Sequence, residues 1–270
     1  MTKEPPINPV VSLDFLKKTI ERERGKGWCD QHQCALPDKD FTCLAGTVNV
    51  YEECPRCLQE KEAEAKAGTA KLVRAAMREG LTRAGIPPRY LTKRLSDFTA
   101  TTPAAQEVLH IAEVFCGHHE QEYAPESLLI VGTVGTGKTL LGCAILTEWM
   151  YGEEGDWMDT GLYATAAQIL RRIKMTWRKD SSETEQQVMS KLAQVSLLVI
   201  DEVGVQFNSD TERLLLTELV NDRYNHRRAT ILISNLTIKE FTQTVGDRIV
   251  DRFKEGGKVL ICDWQSHRGA

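Results

Sequence analysis

Two hydrophobic periods alternate along the C-terminal two thirds of the chain. Short uninterrupted apolar runs such as 128–131 and 197–200 alternate with stretches in which apolar residues recur every three or four positions. The short runs are typical of buried parallel strands and the longer stretches of amphipathic helices. Strands are predicted over residues 128–131, 161–164, 196–200, 229–233 and 258–262. Helices are predicted after Thr102, from a glycine-rich turn to about residue 151, over 166–178 and 237–253, and behind capping boxes at Ser182…Glu185 and Ser209…Glu212. This order predicts an α/β fold with helices flanking a parallel sheet.

The N-terminal third has a different pattern. Ser12 precedes a short amphipathic stretch that predicts a helix, whereas residues 27–57 lack helical periodicity. A long polar helix is predicted from Leu58 to about Ala84, with breaks near Gly68 and Gly80. We therefore expect three regions: an N-terminal domain at 1–66, a helical linker at 67–100 and a large domain at 101–270.

Composition fits a globular protein. The 270 residues are 41% hydrophobic and 27% charged, with a formal net charge of -4. No apolar run approaches the roughly 20 residues that cross a bilayer, and the first residues lack a signal-peptide core. We therefore expect a cytoplasmic protein that has no membrane partner.

Residues 132–139 fit the phosphate-binding pattern G-x-x-x-x-G-K-[ST] between a predicted strand and a predicted helix. In that pattern glycines let backbone N–H groups surround phosphate oxygens, the lysine supplies a point charge, and the hydroxyl residue binds Mg²⁺. The predicted ATP·Mg²⁺ contacts are Gly132, Thr133, Val134, Gly135, Thr136, Gly137, Lys138 and Thr139.

Two further predicted strands end in polar residues. Asp201 and Glu202 follow the run 197–200, so Asp201 is a candidate for the Mg²⁺ shell and Glu202 for polarising the attacking water. Asn235 follows the run 231–233 and either orients water near the γ-phosphate or caps the next helix. Arg248, Arg252 and Arg268 are candidates for neutralising transition-state charge, and spacing does not choose among them.

Together these motifs resemble the DnaC family of AAA+ helicase loaders, from about Pro103 to Ala270. The similarity is carried by residues 197–206 (LLVIDEVGVQ), 246–253 (GDRIVDRF) and 263–268 (DWQSHR). It implies an AAA+ ATPase with weak, regulatory hydrolysis and ATP-linked self-assembly. It also implies that Asn235 is a sensor, Arg252 or Arg248 the finger acting on a neighbouring subunit, and Arg268 a sensor in cis. The partners implied are a replicative DNA helicase and single-stranded DNA.

A basic run near residue 175 fits the DNA partner. It contains Trp177, a residue that can stack on bases, and no acidic residue. Its basic members are Arg171, Arg172, Lys174, Arg178 and Lys179. The alternative is a solvated helix face that buries the tryptophan. A second basic stretch in the linker, residues 71–94, fits a solvated helix better.

The N-terminal domain contains five of the eight cysteines. Cys29-x-x-His32 and Cys54-x-x-Cys57, separated by 21 residues, have the spacing of two ligand pairs for a structural zinc ion. Cys34 and Cys43 are alternatives to His32. Redox chemistry is disfavoured because we do not expect Cys54 to open a helix after a strand. By the same resemblance, this zinc module contacts the helicase.

A second function shares the same ATPase core. An IstB-like helper of transposition would act on duplex DNA and a transposase. The Cys/His pairs and the C-terminal motifs favour the loader.

Overall fold

The computed structural model describes residues 28–29, 31–43, 46–117, 126–152, 160–204 and 209–266, without the side chains of residues 28, 38–43 and 46–51. The predicted helix behind Ser12 lies outside this range. The chain divides into two compact units, residues 1–73 and 74–270. Each unit is built differently.

The first unit contains two small antiparallel pairs of strands. Strand β1 (Trp28–Cys29) pairs with β2 (Cys34–Ala35), and β3 (Asp38–Cys43) pairs with β4 (Gly46–Tyr51). Helix α1 (Pro55–Arg83) follows and continues into the second unit's residues.

The predicted breaks in α1 at Gly68 and Gly80 are wrong, because the helix is continuous through both. Gly80 has a packing role instead. A Cβ atom at this position would lie 1.7 Å from the hydroxyl oxygen of Tyr151, so only glycine lets the two segments approach this closely.

The second unit is a five-stranded parallel sheet with helices on both faces. The strands, in the spatial order β6-β7-β8-β5-β9, are β5 (Ser127–Gly132), β6 (Gly161–Thr165), β7 (Leu197–Asp201), β8 (Ala229–Ile233) and β9 (Gly257–Cys262). The helices are α2 (Pro103–Cys116), α3 (Lys138–Tyr151), α4 (Ala166–Met175), α5 (Glu185–Gln194), α6 (Asp210–Asn225), α7 (Ile238–Val245) and α8 (Asp247–Glu255). The predicted α/β fold is confirmed.

Alternate residues of the strands point to opposite faces of the sheet and contribute to two hydrophobic cores. Leu128 and Ile130 of β5 point into the core beneath α2, α3 and residues 81–98, whereas Leu129 and Val131 point into the core beneath α4 to α8. Because both faces are covered, the strands are apolar along their whole length, as the uninterrupted runs predicted.

Three helix ends differ from the predictions. Thr184, not Ser182, caps α5, in a reciprocal box with Gln187. Helix α4 ends at Met175 rather than near residue 178. The predicted helix over 237–253 is two helices, because Gly246 adopts φ 96° and ψ 153°, a conformation that interrupts helical hydrogen bonding.

Candidate nucleotide and metal sites

The glycine-rich loop joins β5 to α3 at the carboxyl edge of the sheet. Gly132, Gly135 and Gly137 have φ values of 135°, 88° and 92°, which L side chains rarely adopt. At Gly132 a Cβ atom would also lie 2.1 Å from the Cys262 carbonyl oxygen of the neighbouring strand. The loop therefore requires glycine at these positions for both conformational and packing reasons.

Lys138 begins α3, and its side chain is only 4% exposed. Its Nζ donates to the Thr133 carbonyl oxygen at 2.5 Å and to Oγ1 of Thr136 at 3.4 Å. Thr136 is fully buried and donates to the same carbonyl at 3.0 Å. The lysine is thus held at the loop by the loop's own oxygen atoms, at a helix N-terminus that favours anions.

The C-terminal segment packs onto this loop. Trp264 Nε1 donates to the Thr136 carbonyl at 3.2 Å, and a Cβ atom at Gly135 would lie 1.9 Å from Oγ of Ser266. The ring of Phe98 meets Trp264 edge-on, with centroids 6.2 Å apart. Arg268, the predicted sensor in cis, lies outside the described residues. Trp264 was not predicted as a contact because it lies 128 positions from Thr136.

Asp201 ends β7, two strands away from the loop. The carboxylate is 4% exposed, and both oxygens accept hydrogen bonds: Oδ1 from the Glu202 backbone N–H at 2.7 Å and Oδ2 from the Tyr163 hydroxyl at 2.8 Å. Glu202 itself is exposed and has φ 59°, so its side chain leaves the strand direction. These acids and the loop share the edge where ligands bind in parallel sheets.

The tip of β8 carries two polar residues with different roles. Asn235 is exposed, and Thr237, not Asn235, caps α7, so the capping alternative for Asn235 is wrong. The preceding Ser234 is 1% exposed and donates to the Val203 carbonyl at 2.6 Å. Ser234 thereby fixes the tip of β8 to the chain after β7, a contact that the sequence reasoning missed.

Arg248 and Arg252 lie on α8. Arg248 is exposed, and the guanidinium of Arg252 lies 4.1 Å from the ring centroid of Tyr224.

The first unit brings the four predicted metal ligands together. The ligand atoms of Cys29, His32, Cys54 and Cys57 all lie within 4.8 Å of one another. The Cys29 and Cys57 sulfur atoms are 3.6 Å apart, and Nδ1 of His32 lies 3.3 to 3.7 Å from the three sulfur atoms. Tetrahedral zinc with Zn–S bonds of about 2.3 Å places two sulfur atoms about 3.8 Å apart, so this donor set fits zinc.

The alternatives to His32 lie outside this group. Cys34 is not one of the four clustered ligands, although its Sγ lies 3.7 Å from that of Cys54, and the Cys43 side chain lies outside the described residues. Cys54 does directly precede α1, after β4, so the expectation that it does not open a helix is wrong. The neighbouring Cys29 and His32 now argue for metal binding instead.

Two further residues orient these ligands. Glu60 lies 3.0 Å from His32 Nε2 and accepts from Gln31 at 2.8 Å, which directs His32 Nδ1 at the sulfur atoms. Donation from the Cys57 backbone N–H lowers the pKa of the Cys54 thiol to about 6, which favours the thiolate that zinc binds. Glu60 lies three positions after Cys57 on α1, a spacing that could have indicated it.

The basic run at the end of α4 is partly paired with acids. Arg172 contacts Glu183 at 3.0 Å, and Lys174 contacts Glu212 at 2.6 Å. Trp177 is 54% exposed, so the alternative in which this face buries the tryptophan is wrong. In the linker stretch, Arg94 pairs with Glu148 at 3.0 Å.

The chain is similar to known ATP-binding and replication proteins over most of its length. Residues 71–268 match the family described as IstB-like ATP binding protein. The replicative helicase loader DnaC of Escherichia coli strain K12 is 30% identical over 193 residues, which cover 71% of this chain and 76% of DnaC. No helix among the described residues is both long enough and apolar enough for a membrane span.

Two solved structures share the fold. The crystal structure of the DnaC helicase loader gives a TM-score of 0.56 at 22% identity and covers 66% of this chain and 100% of that chain. AMPPCP-bound DnaA from Aquifex aeolicus gives a TM-score of 0.54 at 22% identity and covers 67% of this chain and 52% of that chain. This chain therefore shares with both structures a parallel sheet flanked by helices.

Proposed function

Because this chain belongs to the family of IstB-like ATP binding proteins and is related to the DnaC replicative helicase loaders, we propose that it is an ATP-dependent loader of the DnaC type. It would bind a replicative DNA helicase and single-stranded DNA during the initiation of DNA replication. The similarity to DnaC over 76% of that protein's length, together with the glycine-rich loop and Asp201 at the same edge of the sheet, carries this proposal.

In this proposal each residue at the sheet edge has a separate role in ATP hydrolysis. Backbone N–H groups of residues 132–139 would hold the phosphates, with Lys138 contributing a point charge. Thr139 and Asp201 would hold Mg²⁺, which neutralises charge on the phosphate oxygens. Glu202 would polarise the attacking water, and Asn235 would orient it. We propose that hydrolysis is weak and regulatory, so that the bound nucleotide controls the affinity for the helicase and for single-stranded DNA.

The two arginines of α8 are proposed to complete the site of a neighbouring subunit. The resemblance to the DnaC family supports action between copies, and Arg252 is the first candidate. Mixing Lys138→Ala with Arg252→Ala protein tests this: hydrolysis should recover, because Arg252 of the first protein completes the intact loop of the second. If a mixture with Arg248→Ala recovers instead, Arg248 is the finger.

The first unit is proposed to hold a structural zinc ion and to dock on the helicase. The S₃N donor set formed by Cys29, His32, Cys54 and Cys57 supports the zinc ion. Helicase docking rests on the resemblance to loaders with an N-terminal metal module. We propose domain limits of 1–66 for this module, 67–100 for the helical linker and 101–270 for the ATPase.

The experiment is co-elution with the replicative helicase, with and without ATP·Mg²⁺, by size-exclusion chromatography with light scattering. We expect a stoichiometric complex that survives Lys138→Ala, because this change affects only the phosphate site. The complex should be lost when Cys54 and Cys57 are both changed to Ser. A helicase that elutes alone under every condition contradicts the loader proposal.

A transposition helper is the second candidate, because residues 71–268 match the IstB-like family directly. DNA preference separates the two functions. For a loader we expect Arg171, Arg178, Lys179 and Trp177 to bind single strands, since an exposed indole stacks on unpaired bases. Fluorescence anisotropy with oligo-dT and with a duplex of equal length measures this, and tight duplex binding unaffected by Trp177→Ala supports the helper.

A further inference from the structure

Tyr163 lies outside every motif that indicates nucleotide binding, yet its hydroxyl reaches the site. It is on β6, the edge strand next to β7, and is 7% exposed. In the register of the two strands, Tyr163 lies opposite Val199 and Thr165 opposite Asp201. Residues 199 and 201 of β7 share a face, so Tyr163 reaches Asp201 diagonally along one face of the sheet.

The contact fixes the carboxylate without saturating it. The Tyr163 hydroxyl holds Oδ2 at 2.8 Å while the Glu202 N–H holds Oδ1 at 2.7 Å. A carboxylate has about four lone-pair positions, so two hydrogen bonds set its rotation and leave positions for a metal-bound water. Asp201 is buried, and these two donors leave it one orientation.

Tyr163 is itself firmly placed. Its backbone N–H donates to the Ala84 carbonyl at 2.7 Å, and Gly85, with φ 84°, comes so close that a Cβ atom there would lie 2.4 Å from the Tyr163 carbonyl oxygen. Burial raises the pKa of the Tyr163 hydroxyl far above its ordinary value, and the Asp201 charge adds to the effect. The hydroxyl therefore keeps its proton and remains a donor.

We propose that Tyr163 is a positioning residue for ATP hydrolysis, which holds the Asp201 carboxylate in the orientation that the Mg²⁺ shell requires. This inference rests on the proposed ATPase function. It adds to the reaction a residue that contacts neither nucleotide nor metal and acts through Asp201 alone. Removing the hydroxyl leaves the carboxylate free to rotate, so a higher Mg²⁺ concentration should be needed for hydrolysis.

The test is Tyr163→Phe, which deletes one oxygen atom and retains the buried ring. We expect the Mg²⁺ concentration for half-maximal ATP hydrolysis to rise by about tenfold, the size of effect that one hydrogen bond to a charged group can supply. Binding of ATP without Mg²⁺ and the thermal midpoint should stay near wild type. Tyr151→Phe is the matched control, because Tyr151 lies in the same hydrophobic core and is 6% exposed.

A double-mutant cycle separates positioning from a general structural effect. In an Asp201→Asn background, Tyr163→Phe should have no further effect on the Mg²⁺ dependence, since the hydroxyl acts through the carboxylate. The proposal is overturned if Tyr163→Phe leaves the Mg²⁺ concentration for half-maximal hydrolysis unchanged. It is also overturned if Tyr163→Phe raises that concentration equally in the wild-type and Asp201→Asn backgrounds. A wild-type protein that binds no ATP overturns the proposed function itself, and this inference with it.

Discussion

At the scale of single residues, Arg223 shows how a buried charge is accommodated. Its side chain on α6 is fully buried and makes six hydrogen bonds. Five of the acceptors are backbone carbonyls, including those of Leu192 and Ala193 at the end of α5, where the helix dipole favours a cation. Arg223 therefore joins α6 to α5 and β8 through backbone carbonyls of both segments.

Replacing Arg223 with Met should destabilise the protein by about 3 to 5 kcal/mol, because several buried carbonyl groups lose their donors together. Equilibrium unfolding in urea measures the change. Arg213→Met is the matched control, since Arg213 lies on the same helix and is 43% exposed. A loss below about 1 kcal/mol would mean that water replaces the guanidinium at these carbonyls.

The sequence predicted residues of contiguous motifs, including the segment 263–268, but not the contacts that these residues make across the fold. Lys138 and Asp201 are recognisable because a fixed pattern surrounds each of them. Tyr163 and Trp264 reach the same site from 38 and 128 positions away from their partners. Only strand order and register bring such pairs together, and neither is encoded by local periodicity.

At the scale of elements, helix ends were harder to predict than helices. Ser182-x-x-Glu185 and Thr184-x-x-Gln187 both fit the capping-box pattern, and the chain uses the second. Similarly, apolar positions continue with a helical period through Gly246, so periodicity alone could not show that the chain turns there. The backbone conformation of one glycine separates α7 from α8.

Gly246→Ala should destabilise the protein by about 1 to 3 kcal/mol through backbone strain alone, since a Cβ atom there meets nothing within 4 Å. Thermal unfolding measures the effect. The control is Gly68→Ala inside α1, where the added Cβ also meets nothing within 4 Å. That change should leave stability unchanged or increase it slightly, because alanine favours the helix.

At the scale of the whole molecule, the two candidate sites belong to different units. The Cys/His cluster lies within residues 1–73 and the nucleotide site within residues 74–270. The first unit's strands β1 and β2 have two residues each, so little backbone hydrogen bonding supports them. We therefore expect the metal to stabilise this unit in particular.

Removing zinc with a chelator should raise amide hydrogen exchange in residues 28–60 and leave ATP affinity of the second unit unchanged. Mass spectrometry measures the amide hydrogen exchange, and nucleotide titration measures the ATP affinity.

His32→Ala should lower the zinc content of the purified protein, whereas Cys34→Ser should retain one ion per chain. Loss of zinc in Cys34→Ser would instead make Cys34 the fourth ligand.

The hydrogen bond from Trp264 to the Thr136 carbonyl has a consequence for genetics. A nonsense mutation at codon 264 spares every residue of the phosphate-binding motif and both strand-end acids. It nevertheless deletes the indole that supports the loop and the serine that packs against Gly135. Such an allele should therefore lose ATP hydrolysis as a Lys138 missense allele does, although the two codons lie 126 positions apart.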